Sequence, residues 1–149
     1  MNRRMLPALL LLIAPPAAAE CVPGTVTREV SFVRDGDTVE LGPLAIRLSG
    51  LAAPEWNARG GFEATAAMRA LVLGKVVTCE LDGTSTYDRC AAICTLEGAD
   101  IAEQLVRRGL ARDCPRYSGG RYQQAELQAA RQGATIRELY SLPGYCRRR

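Results

Sequence analysis

The chain has 149 residues, with 19 basic and 16 acidic side chains and no histidine. Without histidine, imidazole acid–base chemistry and histidine metal ligation are excluded, so a general base has to be a carboxylate. The formal charge of +3 falls close to neutral once Arg3 and Arg4 are set aside, a balance that gives no whole-protein attraction to nucleic acid, so any anion site must be local.

Residues 1–19 read as a signal peptide. Arg3 and Arg4 form a basic start, Leu6 and Leu9 to Ile13 an apolar run, and Ala17-Ala18-Ala19 a cleavage site. The run is too short for a bilayer and is interrupted by Pro7, Pro15 and Pro16, so no stable membrane span is expected. Cleavage after Ala19 leaves residues 20–149 as one expected domain, exported to a periplasm or released. Removing Arg3 and Arg4 takes the balance from 19 basic against 16 acidic residues to 17 against 16, close to neutral. A lipoprotein acylated on Cys21 is the rival, disfavoured because Glu20 stands where such signals carry a small residue.

The six cysteines (Cys21, Cys79, Cys90, Cys94, Cys114 and Cys146) all lie beyond that cleavage site. An even count in an exported chain reads as disulfides, and six cysteines allow about 15 pairings. Zinc lacks support, because there is neither a CxxC pair nor a histidine.

Alternating apolar residues then predict strands, with Val30 and Phe32 on one face, a turn at Asp35-Gly36, and Val39 and Leu41 after it. Gly42-Pro43 turns the chain again, and Ile46 and Leu48 continue the pattern with Arg47 on the opposite face. A helix is expected over about Glu63 to Leu73, stopped by Gly74. Val76 to Leu81 reads as a strand, Asp82 to Asp88 as a polar loop and Cys90 to Leu96 as the return strand, which makes Cys79–Cys94 the most plausible disulfide. Asp100 with Glu103 opens a helix that ends at Arg107-Arg108-Gly109. Ser118-Gly119-Gly120 turns into a last helix from about Tyr122 to Gln132, and Arg147-Arg148-Arg149 forms a short basic tail. The order fits an α+β fold that is mainly β: a closed five-stranded barrel of the OB type with about three packed helices.

Five segments then occur in order: Asp35-Gly36-Asp37-Thr38, Ile46-Arg47-Leu48, Gly50-Leu51-Ala52-Ala53-Pro54-Glu55, Tyr87-Asp88-Arg89 and Leu105-Val106-Arg107-Arg108-Gly109-Leu110-Ala111. Together they resemble the thermonuclease (staphylococcal nuclease-like) family from about Val26 to Gln132. The resemblance implies an OB-type barrel and calcium-dependent cleavage of DNA and RNA phosphodiesters. By position, Arg47, Glu55 and Arg89 match the family's catalytic trio, with Glu55 as general base and the arginines on the phosphoryl oxygens. Asp37 matches a calcium ligand, Asp35 an acidic neighbour, and Ala53 a backbone carbonyl donor. Tyr87 and Tyr117 match aromatic positions that line the nucleotide pocket.

Three positions depart from the pattern. Ala52 stands where the family carries an acid, which removes a calcium carboxylate. Asp88 replaces a glycine and either constrains the loop or partly neutralises Arg89. Pro115 replaces an aromatic residue. Each candidate also has a plain structural reading: the aspartates as turn residues, Glu55 as a helix cap, Arg47 as a surface strand residue, Arg89 as a partner of Asp88 and the tyrosines as packing. Two functions follow. One is an exported nuclease-like phosphodiester hydrolase, expected to be a monomer, acting on nucleic acid with an altered calcium site. The other is a non-catalytic envelope or nucleic-acid binding module that keeps the anion pocket.

Overall fold

The computed structural model describes residues 20–147, so the expected signal peptide lies outside the described residues. The first strands are β1 (Gly24–Glu29), β2 (Phe32–Val33), β3 (Thr38–Leu41), β4 (Leu44–Leu48) and β5 (Leu51–Ala52). They are followed by α1 (Gly61–Val72), β6 (Val76–Thr86), β7 (Arg89–Leu96) and β8 (Ala99–Asp100). The chain ends with α2 (Ile101–Arg107), β9 (Arg112–Asp113), α3 (Pro115–Ser118), α4 (Gln123–Arg131), α5 (Ile136–Leu139) and a 3-10 turn at Gly144–Cys146.

The main sheet runs in the order β1-β6-β7-β4-β3-β2, with β8 on β7, while β5 pairs separately with β9. β4 and β7 are parallel, and the other neighbours along that path are antiparallel. The two ends of the path, β1 and β2, are consecutive pieces of one bent segment. At the bend Val30 bridges to Leu73 instead of continuing the ladder. The hydrogen-bonded sheet is therefore not closed, where a closed barrel was expected, but one segment serves both ends of an OB-type arrangement.

Three further differences have local causes. β1 was not anticipated because most of its side chains are exposed, so it carries no apolar alternation. The polar stretch expected as a loop from Asp82 to Asp88 instead extends β6 to Thr86, past a register shift between Leu81 and Ser85. Backbone ladder bonds hold that half of the strand, and they leave no hydrophobic signature. The segment after α4, for which the sequence predicted no element, folds back through α5 and the 3-10 turn.

The core lies between the inner face of the sheet and the helices. α1 contributes Ala64, Met68 and Val72, spaced four apart on one buried face. α2 starts where predicted, with the Glu103 N–H donating to Asp100 Oδ1 at 3.2 Å, and buries Ile101 and Leu105. Buried Tyr122 donates from its hydroxyl to Asp100 Oδ2 at 2.9 Å, which ties the start of α4 to that cap.

Three disulfides cross-link the fold. Cys79–Cys94 joins residues directly opposed in β6 and β7, as expected. Cys21–Cys90 ties the N-terminal segment to β7, which leaves no Cys21 thiol for acylation. Cys114–Cys146 pins the C-terminal segment, and with Ala52, Tyr140 and Leu142 it forms a second apolar cluster. No helix among the described residues is long and apolar enough to cross a membrane.

Candidate active site

The β2–β3 turn places the first carboxylates. The Asp37 N–H donates to Asp35 Oδ1 at 3.0 Å, so Asp35 acts as a turn acceptor and turns Asp37 inward. Gly36 is required at the bend, since a Cβ there would stand 2.8 Å from that of Ala53 and 2.9 Å from that of Ala64. That approach sets buried Asp37 against the segment leading to Glu55, and the Ala53 N–H reaches Asp37 Oδ2 at 3.5 Å.

The sheet register then brings in the two arginines. Arg47 on β4 pairs with Thr38 on β3 and Ala91 on β7. Arg89 opens β7 two residues before Ala91, so strand alternation puts Arg89 and Ala91 on the same face. Arg47 Nη1 lies 2.5 Å from Asp37 Oδ2, and Arg47 Nη2 donates to the Tyr145 hydroxyl at 3.4 Å. Arg89 Nη1 donates to Thr38 Oγ1 at 3.1 Å, while Thr38 donates to Asp37 Oδ1 at 2.9 Å. Asp37 and Thr38 thus link the two guanidiniums in one polar chain. Burial pushes the Asp37 carboxyl up to about 7 against the opposing pull of Arg47. Burial alone would lower Arg47, but the charge of Asp37 holds it above its ordinary value, so this cation stays charged.

Glu55 is exposed in the loop before α1, and its carbonyl accepts from the Ala58 N–H at 2.8 Å. A Cβ on Gly61 would fall 1.7 Å from the Glu55 carbonyl oxygen, so only glycine lets α1 begin against this backbone. Tyr87 and Asp88 form the tight turn between β6 and β7, with Tyr87 left-handed (φ 57°) and almost wholly exposed. The Arg89 guanidinium lies 5.8 Å from the centre of the Tyr87 ring. Asp88 pairs with Arg34 at 2.8 Å and constrains the turn, and Arg34 holds its carboxyl below the usual range. Arg89 is therefore left to Thr38 and Thr86. Pro115 occupies the first turn of α3, a position that suits proline, and carries Tyr117 to the opposite wall.

These groups share one cleft of about 660 Å³, lined by Asp37, Arg47, Ala53, Glu55, Tyr87, Arg89, Tyr117 and Tyr145. One candidate, Asp35, does not line the cleft but serves its turn beside Asp37. Fully buried Ala52, the departure from the pattern, packs against Cys114 and Cys146. Thr86 and Tyr145 were not singled out from the sequence, and Thr38 was read only as the end of the Asp35-Gly36-Asp37-Thr38 segment, with no role of its own. The one signal for Tyr145 was its place beside Cys146, a cysteine whose partner spacing could not reveal.

Calcium takes six to eight oxygen ligands. Among the described residues no three histidine, cysteine, aspartate or glutamate side chains converge on a common point. Asp37 is held by Arg47 and Thr38, Asp35 by a backbone N–H, and the Ala52 methyl lies in the disulfide cluster. This set does not make a calcium cage. Arg47 and Arg89 line the cleft together with Asp37, Glu55, Tyr87, Tyr117 and Tyr145.

The family model for the staphylococcal nuclease homologue matches residues 45–139, from β4 through α5. The succinoglycan biosynthesis protein ExoI of Rhizobium meliloti (strain 1021) is 30% identical over 141 residues, covering 87% of this chain and 71% of the relative. An uncharacterized endonuclease of Escherichia coli O157:H7 is 31% identical over 114 residues, covering 73% of this chain and 72% of that protein. With Arg47, Glu55 and Arg89 all inside the matched segment and gathered on one cleft, the chain belongs to the staphylococcal nuclease homologue family.

Proposed function

We propose that this chain is an exported hydrolase of DNA or RNA phosphodiesters, with one catalytic domain beginning near Glu20. The observation that carries the reading is the convergence of two arginines and Glu55 on a cleft walled by tyrosines. A phosphodiester seated there receives charge-assisted hydrogen bonds from Arg47 and Arg89 on its non-bridging oxygens. Glu55 takes the proton of the attacking water, and the arginines stabilise the charge that gathers on phosphorus-bound oxygen as the ester bond breaks. Tyr87 and Tyr117 offer faces on which flanking bases stack. Export is supported by three disulfides, which persist in oxidising compartments, and by the signal-like N-terminus.

The test is hydrolysis of a labelled single-stranded oligonucleotide by the oxidised chain from Glu20 onward, with calcium titrated against a chelator. Glu55→Gln should lower the rate about 100-fold or more while leaving the thermal midpoint unchanged. Cleavage untouched by that substitution would remove Glu55 as the base. Binding without cleavage at any calcium level would favour the second reading, a binding module, which the apolar environment of Ala52 supports.

Gly61 gives an independent check on the placement of Glu55. Gly61→Ala should lower hydrolysis about 100-fold, since its methyl must displace the Glu55 backbone and an offset near 1 Å is enough for such a loss. Wild-type kcat in a folded Gly61→Ala protein would show that the base sits elsewhere.

A further inference from the structure

The cleft has a wall that the family match does not include. Beyond residue 139, the chain folds back through Tyr140 and Leu142 onto Ala52, and the Cys114–Cys146 disulfide fixes it there. The Gly144–Cys146 turn then presents Tyr145 to the cleft, half exposed, with its hydroxyl on Arg47. We propose that Tyr145 is a positioning residue for Arg47 and a third aromatic wall of the substrate cleft. The inference rests on the hydrolase reading and adds a residue to that site.

Two features of Arg47 support it. Its Nη1 is buried and meets Asp37 at ion-pair distance, yet makes no directed hydrogen bond. A charge contact of that kind fixes distance but not the plane of the guanidinium. The Tyr145 hydroxyl supplies the second point, on Nη2, so that the fork is held at both ends. The 3.4 Å separation is long for a hydrogen bond, so the fork keeps capacity to close on a phosphoryl oxygen. Arg47 donates in this contact, so the phenolic hydrogen of Tyr145 remains available to the cleft.

Ala52 fits the same arrangement. The position where the family resemblance expects an acid is fully buried beneath Cys114–Cys146. A carboxylate there would lie in an apolar cluster, so the small residue and the disulfide-held strap belong together.

The experiment compares Tyr145→Phe and Tyr145→Ala in the oxidised protein. Single-stranded oligonucleotide hydrolysis is measured for each, and fluorescence anisotropy reads binding of the same oligonucleotide in a Glu55→Gln background. Tyr145→Phe keeps the ring and its packing, so kcat should fall about tenfold at an unchanged thermal midpoint. In the Glu55→Gln background it should weaken binding severalfold, and Tyr145→Ala should weaken it further by removing the stacking face. A kcat and an affinity equal to wild type in both variants would overturn the proposal. If the wild-type protein binds but does not cleave, the hydrolase reading fails, yet weaker binding in Tyr145→Phe still upholds the contact with Arg47. Binding that neither variant alters then overturns it.

Discussion

Arg47→Ala should lower hydrolysis about 100- to 1000-fold and also destabilise the protein by about 3–5 kcal/mol, the second loss growing with pH. The two effects share one cause. In the proposed hydrolase Arg47 holds the substrate phosphate, and it is also the countercharge of Asp37, at 2.5 Å and with both side chains largely buried. Truncating it leaves a buried carboxylate without a cation. Burial already pushes Asp37 up to about 7 with Arg47 in place, and losing that arginine raises it further. A folded-state value above the unfolded value of about 3.9 means that the penalty is full above the folded value. It shrinks as pH falls toward the unfolded value, because the folded protein then takes up the proton. Urea midpoints at pH 5 and pH 8 read this directly, and the deficit should be clearly larger at pH 8. Arg89→Ala separates the roles, since Arg89 bonds only to threonine hydroxyls and a carbonyl; it should lose activity at little stability cost. Adding Asp37→Asn to Arg47→Ala should restore stability and leave activity lost. An equal stability deficit at both pH values would show that the ion pair does not contribute as described.

The sequence made the proposed trio legible because each member lies in a short segment with a recognisable neighbour: Ile46-Arg47-Leu48, Pro54-Glu55 and Tyr87-Asp88-Arg89. What it could not display was how those segments meet. The pairing of Arg47 with Thr38 and Ala91 depends on the parallel contact between β4 and β7, which apolar alternation does not encode. Thr38 is legible as the end of a turn motif, but its role between two arginines exists only once Arg89 arrives from 51 residues away. Helix signals fared better, because caps are local: Asp100 and Glu103 start α2 where they were expected to. The cysteines showed the opposite. Cys79–Cys94 followed from facing strands, whereas Cys21–Cys90 and Cys114–Cys146 join segments whose proximity is purely tertiary. Ala52 was legible as a departure from the family pattern, but not its packing under the Cys114–Cys146 disulfide, which is tertiary.

Replacing disulfides pairwise with serine should give a ranked series, with Cys21→Ser/Cys90→Ser costing about 4 kcal/mol and Cys79→Ser/Cys94→Ser about 3 kcal/mol. The ranking follows the chain enclosed: separations of 69 residues for Cys21–Cys90, 32 for Cys114–Cys146 and 15 for Cys79–Cys94. Freeing the longest loop releases the most unfolded-state entropy, and about 4 kcal/mol is a large share of the 5–15 kcal/mol available to a typical domain. Position sharpens the difference. Cys79–Cys94 joins two strands already laddered together, so the native geometry survives its loss. Cys90 directly follows Arg89, so the lost restraint falls beside the cleft. Denaturant midpoints of the three double-serine proteins measure the order, and a Cys79–Cys94 variant less stable than the Cys21–Cys90 variant would contradict it. Activity should follow another order. Cys114→Ser/Cys146→Ser frees the strap that carries Tyr145, so its remaining folded molecules should hydrolyse more slowly than those lacking Cys79–Cys94. Stability tracks loop length, whereas activity tracks distance from Arg47, and the two readouts together separate a disulfide that holds the barrel from one that holds the site.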